Sequence, residues 1–312
     1  MVDDHILSLS EPESAQWGFT LENLAALLPD YGYYEMPGNG DCFVCSIAGW
    51  LIATGELVCR GSVEEGGGEV RAQIASHISK RAQKKTLPSY LEDSIFFDIH
   101  QHQEATGITH STESYIRHLG EKGVYCDSTA IQVAANLHNC NIVVLDMGFK
   151  WRGKESDPAA PARLQMKWKI AQCFEPNPKD SWIFSGAKDQ HTLQSLDQLI
   201  RSNHRVVILH LRRTGRAGLG DHYNLLLPLS HTRSLMDSHA CNLEDALRVE
   251  ERDFRKNLIA EKANAEKEAE RNVKAAKLKE SATPRRKAER DPDTPPTTKR
   301  PKHPRGSERE SG

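Results

Sequence analysis

The chain has 312 residues, a formal net charge of −2, 38% hydrophobic and 6% aromatic residues. That length can bury one large core or two modest ones, and no apolar run approaches the ~18 residues of a membrane span. The N-terminus carries neither a basic nor an apolar leader region, and the seven cysteines are odd in number and irregularly spaced, which argues against a disulfide framework and for an intracellular, reducing location.

In chain order, the first informative stretch is Pro37 to Val44, where Gly38 and Gly40 closely precede Cys42. Glycines there free the backbone to take positive φ and to approach a ligand. From Phe43 to Ile52 the spacing predicts a helix, with Phe43, Ile47, Trp50 and Leu51 on one face. Cys42 thus stands where a glycine turn meets a helix N-terminus. Unpaired N–H groups and the helix dipole favour a thiolate there, and the same groups can hold an oxyanion.

Further along, Glu69 to Ile78 reads as an amphipathic helix through Val70, Ile74, Ala75 and Ile78, and Ser128 to Leu137 as another. Asn141 to Leu145 is a β-branched run expected to be a buried strand. The stretch from Gly148 to Ser181 reads as loops around a short strand at Leu164–Ile170. Arg205 to Leu211 and His222 to Pro228 read as two more strands, joined by a glycine-rich hairpin connection at Thr214–Gly220.

Composition divides the chain into a mixed domain over residues 15–235, a charged helical extension over 241–281 and a basic tail over 283–312. The tail holds nine Lys/Arg against five Asp/Glu and the segment 244–280 ten of each, leaving a net −6 elsewhere. An acidic catalytic part disfavours nucleic acid as its substrate and suits a partner with a basic face. In the extension, Leu243, Leu247, Phe254 and Leu258 recur at helical spacing, so its first half is expected to dock on the domain. Beyond residue 260 a solvated helix with i,i+4 ion pairs is expected over a coiled-coil partner site, and the Pro- and charge-rich tail is expected to be disordered.

A cysteine nucleophile needs a base within hydrogen-bond reach and a group that orients the base. His222 and Asn224 supply both. Residues i and i+2 share one face of a strand, so the Asn224 amide oxygen is placed to accept from His222 Nδ1 and present Nε2 to Cys42. Cysteine proteases that use Cys, His and Asn work this way. Asp221 lies on the opposite face and is the weaker orienter. Of the 14 histidines, only His222 is followed at i+2 by Asn or Asp within an apolar strand after a glycine hairpin.

With these residues the chain resembles the ovarian-tumour (OTU) family of cysteine proteases, most of which remove ubiquitin. The family's nucleophile motif, Asp-Gly-Asn-Cys followed by an aromatic or leucine, stands as Asn39-Gly40-Asp41-Cys42-Phe43, after a tyrosine-rich approach at Tyr31–Tyr34. The family's His-x-Asn stands as His222, Tyr223 and Asn224, and its Trp-Gly-x region is similar to Tyr125–Asp127 with the helix and strand that follow. The resemblance spans roughly residues 30–230. It implies an α+β, papain-like fold with helices packed around a small central β-sheet, and a C-terminal helical extension added here.

The implied activity is thiol-dependent hydrolysis of the isopeptide bond at the C-terminal glycine of ubiquitin, with ubiquitin, polyubiquitin chains or a ubiquitin-like modifier as partner. Cys42 is the implied nucleophile, His222 the base and Asn224 the orienter, with an oxyanion hole of the Asn39 and Cys42 backbone N–H groups. No cofactor or metal is implied.

Three departures stand out. Asn39 and Asp41 occupy exchanged places around Gly40, Cys45 stands where the family usually has arginine, and Tyr125 stands where it often has tryptophan. A carboxylate at Asp41 opposes thiolate formation unless it points to solvent. The exchange also supports the rival reading, a ubiquitin-binding module with weak or lost catalysis. Cys42 and Cys45 at CxxC spacing suggest a redox dithiol, but without the βαβ context such a motif needs; a zinc site through them lacks a second Cys/His pair. Basic clusters at 285–287 and 299–302 resemble a bipartite nuclear-import signal, against weak nucleic-acid contact or an inert tail. The expected location is the cytoplasm, with the nucleus if that signal works.

Overall fold

The computed structural model describes residues 18–58, 62–152, 163–177, 193–202, 205–212, 222–231 and 240–282. A short helix α1 (Leu21–Leu27) is capped by Thr20, whose hydroxyl accepts from the Asn23 N–H. Strand β1 (Tyr31–Tyr34) follows, then α2 (Cys42–Ala53), α3 (Val63–Gln83), α4 (Ser89–Thr106), α5 (Thr112–Leu119) and α6 (Ser128–His138). The chain continues with β2 (Asn141–Arg152), β3 (Arg163–Phe174), α7 (Leu193–Ser202), β4 (Val206–Arg212), β5 (His222–Pro228), β6 (Ala240–Asn242) and α8 (Leu243–Ala282).

Among the described residues six strands form one sheet in the order β3-β2-β4-β5-β1-β6, with β2 and β4 parallel and the other neighbours antiparallel. Alternation along the strands sends two sets of apolar side chains to opposite faces. Tyr34, Ile142, Val144, Phe174, Leu209, Tyr223, Leu225 and Leu227 share one core with buried residues of α2 to α6. Tyr33, Leu145, Trp168, Ile208, His210 and Leu226 are buried outside that cluster, in register positions of the other face. The expected α+β class, helices packed around a central sheet, is the one observed.

Helix α2 departs from the expected amphipathic pattern: all twelve of its residues are buried. It lies between the sheet and α3, so it has no solvent face. Helix α3 starts six residues earlier than the apolar period suggests and runs straight through Gly66, Gly67 and Gly68. The lack of side chains at two of them is what lets α2 approach: a Cβ on Gly67 would sit 2.8 Å from Cys45 Sγ, and one on Gly66 3.1 Å from the Ala48 Cβ, whereas Gly68 faces open space.

The strand expected over Asn141–Leu145 runs on to Arg152 as β2, and the short strand expected at Leu164–Ile170 extends over Arg163–Phe174 as β3; the two pair antiparallel, with a register shift between Val144 and Leu145. Lysines alternate with apolar residues along β3, and that alternation, not a continuous apolar run, is its strand pattern. The hairpin connection at 214–220, Asp221 and the tail from 283 lie outside the described residues.

The chain falls into two compact units, one ending at Asn257 and one starting at Leu258. In the first unit, Leu243 and Leu247 of α8 are buried, as their spacing predicts. In the second, α8 from residue 258 is almost wholly exposed and carries no apolar stripe.

Candidate active site

Strand β5 lies between β4 and β1, and α2 packs across it. This brings the N-terminus of α2 to the first residues of β5. The Tyr223 N–H donates to Cys42 Sγ at 3.4 Å across 181 residues of sequence. His222, the residue just before that N–H, opens the strand and is half-buried. Cys42, His222 and Asn224 therefore come from the two elements expected to carry them.

Asp41 immediately precedes α2, where an aspartate ordinarily caps the first turn with its own carboxylate. Here it makes no such bond. Arg71 of α3 draws the carboxylate inward instead: its Nε donates to Asp41 Oδ1 at 3.0 Å, and the Gly123 N–H donates to the same oxygen at 3.1 Å. The remaining Arg71 donors reach the carbonyls of Leu119, Gly40 and Val124 at 2.9, 3.1 and 2.6 Å. The guanidinium thus ties the turn before Cys42 to both ends of the 119–124 loop.

That arrangement corrects the expectation for Asp41. The carboxylate does not face solvent; it is buried and neutralised by a guanidinium that is itself 4% exposed. Its effect on Cys42 is the smallest of the causes acting on that thiol. Because Asp41 does not cap the helix, the first amides remain open to another acceptor. Backbone N–H groups of Tyr223, Phe43 and Cys42 turn to the sulfur and favour the thiolate, but burial outweighs them and pushes the Cys42 thiol above its ordinary value.

The turn itself is shaped by Asn39 and Gly40. Asn39 Oδ1 accepts from the Asp41 N–H at 3.1 Å, while Gly38 and Asn39 remain exposed. Gly40 has φ +85, and a Cβ there would meet the Gly123 carbonyl oxygen at 2.0 Å, so only glycine fits.

Burial lowers the His222 imidazole below its ordinary value, against opposing hydrogen bonds with the Asn224 side chain and the Met36 carbonyl. The imidazole is therefore neutral near pH 7 and available as a base. Asn224 is fully buried and held at both ends. Its Oδ1 accepts from the Met36 N–H at 3.1 Å, and its Nδ2 donates to Tyr33 Oη, which lies 3.3 Å from His210 Nδ1. Burial, then Arg212 and His222, lower His210 to about 3, so it stays uncharged.

The supporting residues Arg71, Tyr33 and His210 were not singled out from sequence. Tyr33 belongs to the tyrosine-rich approach and His210 sits in a predicted strand, so position alone marked neither. Arg71 had one signal: a charged residue at helical spacing from the apolar Ile74 and Ile78. Cys45, in contrast, is wholly buried against Gly67, and burial pushes its thiol up to about 12. A redox dithiol needs an accessible, low-pKa partner, which Cys45 is not.

Fold and site together define a class: an α+β protein in which a cysteine at a helix N-terminus meets the opening of a strand that carries a histidine and a clamped asparagine. No protein-family model matches the chain, and no curated protein matches it. Among solved structures it is similar to a crystal structure of an OTU deubiquitinase from Wolbachia pipientis wMel, at 14% identity over 66% of this chain and 93% of that one, TM-score 0.33. It is similar to one of an OTU deubiquitinase from Wolbachia pipientis wMel bound to ubiquitin, at 13% identity over 64% and 98%, TM-score 0.34. The OTU domain of OTUD1 is a third, at 12% identity over 68% and 97%, TM-score 0.31. At these scores the likeness is a distant one.

Proposed function

We propose that the domain is a thiol-dependent hydrolase that cleaves isopeptide bonds at the C-terminal glycine of ubiquitin, with Cys42 as nucleophile, His222 as base and Asn224 as orienter. The observation that carries this reading is the 3.4 Å contact from the Tyr223 N–H to Cys42 Sγ, which sets the histidine strand against the nucleophile turn. The choice of ubiquitin rests on the paired motifs around Cys42 and His222. A thiol in a residue only 2% exposed also suits an acyl group without a side chain, which is what a terminal glycine offers.

In this mechanism Cys42 starts as a thiol and His222 as a neutral imidazole. His222 takes the thiol proton as Sγ attacks the glycine carbonyl. The imidazolium, steadied by Asn224 and the Met36 carbonyl, then protonates the leaving lysine amine. Water hydrolyses the thioester with His222 again as base. The Asn39 and Cys42 N–H groups are assigned to the oxyanion, at about 2.7–4 kcal/mol per donor in comparable sites. The Asn39/Asp41 exchange alters the framework of the turn and leaves the three reacting roles in place.

The test is incubation of the protein with ubiquitin carrying a cysteine-reactive group at its C-terminus. A covalent adduct forms at Cys42, and Cys42→Ala abolishes it. Measurable ubiquitin binding with no adduct would refute hydrolysis and leave a binding module.

A further inference from the structure

Three histidines at successive spacings of eight, His102, His110 and His118, converge on one spot away from Cys42. His102 lies in the last turns of α4, which ends at Gly107 with φ 74. The chain reverses, Ser111 caps α5 by accepting from the Ser114 N–H, and α5 runs back past α4 with His118 in its last turn. His110 precedes that cap. The ring centroids stand 4.8, 5.5 and 5.1 Å apart, and one nitrogen from each ring falls within 4.8 Å of the others.

The outward nitrogens are already committed. His118 Nδ1 pairs with Glu121 Oε2 at 3.0 Å, and His110 Nδ1 with Ser114 Oγ at 3.2 Å. That leaves Nε2 of both rings for the centre of the cluster, and His110 Nε2 is buried without a partner. An imidazole whose far nitrogen is held by a carboxylate or hydroxyl is how metal-binding histidines are oriented. An unpartnered buried ring nitrogen is costly unless something fills the space it faces.

We propose that His102, His110 and His118 bind a divalent transition-metal ion of the zinc class, clasping the end of α4 to α5. Three neutral imidazoles with a fourth position for water are a usual zinc donor set, whereas magnesium and calcium take oxygen ligands. Tetrahedral coordination at about 2.0–2.1 Å brings the nitrogens closer than they stand, by rotation of half-buried rings. The helices are already joined one turn away, where Tyr115 Oη of α5 donates to Asp98 Oδ2 of α4 at 3.3 Å. The metal would extend that joint outward. It would also steady the end of α5, whose Leu119 carbonyl accepts from Arg71 beneath the nucleophile turn.

The experiment uses the full chain without a histidine tag, as Cys42→Ala so that the buried thiol cannot compete. Zn2+ titrated into it binds at one equivalent, and at about 100 times Kd raises the thermal midpoint by roughly 5–10 °C. Mg2+ has no effect. Co2+ gives visible d–d bands without a thiolate charge-transfer band. His102→Ala and His118→Ala each abolish the shift, and Glu121→Gln, at an exposed position, weakens binding about 10–100-fold. Absence of one-equivalent binding overturns the proposal, as does a metal shift that survives removal of all three imidazoles. If the alanine variants fail to fold, Glu121→Gln decides, and an unchanged affinity overturns it.

Discussion

Arg71→Ala would remove the four hydrogen bonds that Arg71 makes to Asp41, Leu119, Gly40 and Val124. The decisive loss is the partner of the Asp41 carboxylate, which the Gly123 N–H alone does not neutralise. Breaking a buried ion pair by deleting one member costs about 3–5 kcal/mol. For a domain of this size each kcal/mol moves the thermal midpoint by roughly 2–4 °C, so a fall of about 6–20 °C is expected. Urea denaturation of wild type, Arg71→Ala, Asp41→Asn and the double variant closes a mutant cycle. A coupling of at least about 2 kcal/mol is expected, because the double variant buries no unpaired charge. At a temperature where Arg71→Ala is folded, its adduct with reactive ubiquitin forms at least roughly tenfold more slowly, a factor worth about 1.4 kcal/mol. A loss below about 1 kcal/mol, or costs that simply add, would refute the role assigned to Arg71 as the anchor of the turn.

Two further outcomes follow from the charge states and the clamp. Because Cys42 is held above its ordinary value and His222 below its own, the resting pair is neutral, and alkylation of Cys42 by iodoacetamide keeps rising with pH beyond neutrality; a plateau already reached below about pH 7 would mean a preformed thiolate–imidazolium pair. The same lowered His222 value keeps the base unprotonated as pH falls to its ordinary range, so the acid limb of activity lies below about pH 6.5. Tyr33→Phe leaves Asn224 Nδ2 and His210 Nδ1 without their partner; about 1–3 kcal/mol of stability is lost in urea denaturation, and a change under about 0.5 kcal/mol would deny the clamp.

The parts of the fold legible in sequence are those whose pattern is local. Helix α6 and strands β4 and β5 announce themselves by period, and Cys42 and His222 by turn chemistry and strand context. The ribbon of β2 and β3 was legible only in part: strands were expected over 141–145 and 164–170, and the residues beyond them are extended because each strand has the other as its partner. The start of α3 was hidden for the opposite reason. Three successive glycines argue against a helix by propensity, and only the close approach of Ala48 and Cys45 explains the first two of them. Asp41 shows the limit most clearly: beside a cysteine it reads as a hindrance, and only its pairing with a residue thirty positions away turns it into a support.

The contact between Cys42 Sγ and the Tyr223 N–H also orders events in time. Its two ends are 181 residues apart, so at roughly 5–20 residues per second Cys42 is synthesised about 10–35 s before Tyr223. In that interval β1 lacks its neighbour β5, and Cys42 lacks the strand that α2 packs across. A chain interrupted anywhere before His222 lacks β5 and with it the Tyr223 N–H that meets the Cys42 sulfur. The contact forms only when the late strand β5 enters between the earlier strands β4 and β1, so the surroundings of Cys42 are completed by one of the last strands of the sheet to be made.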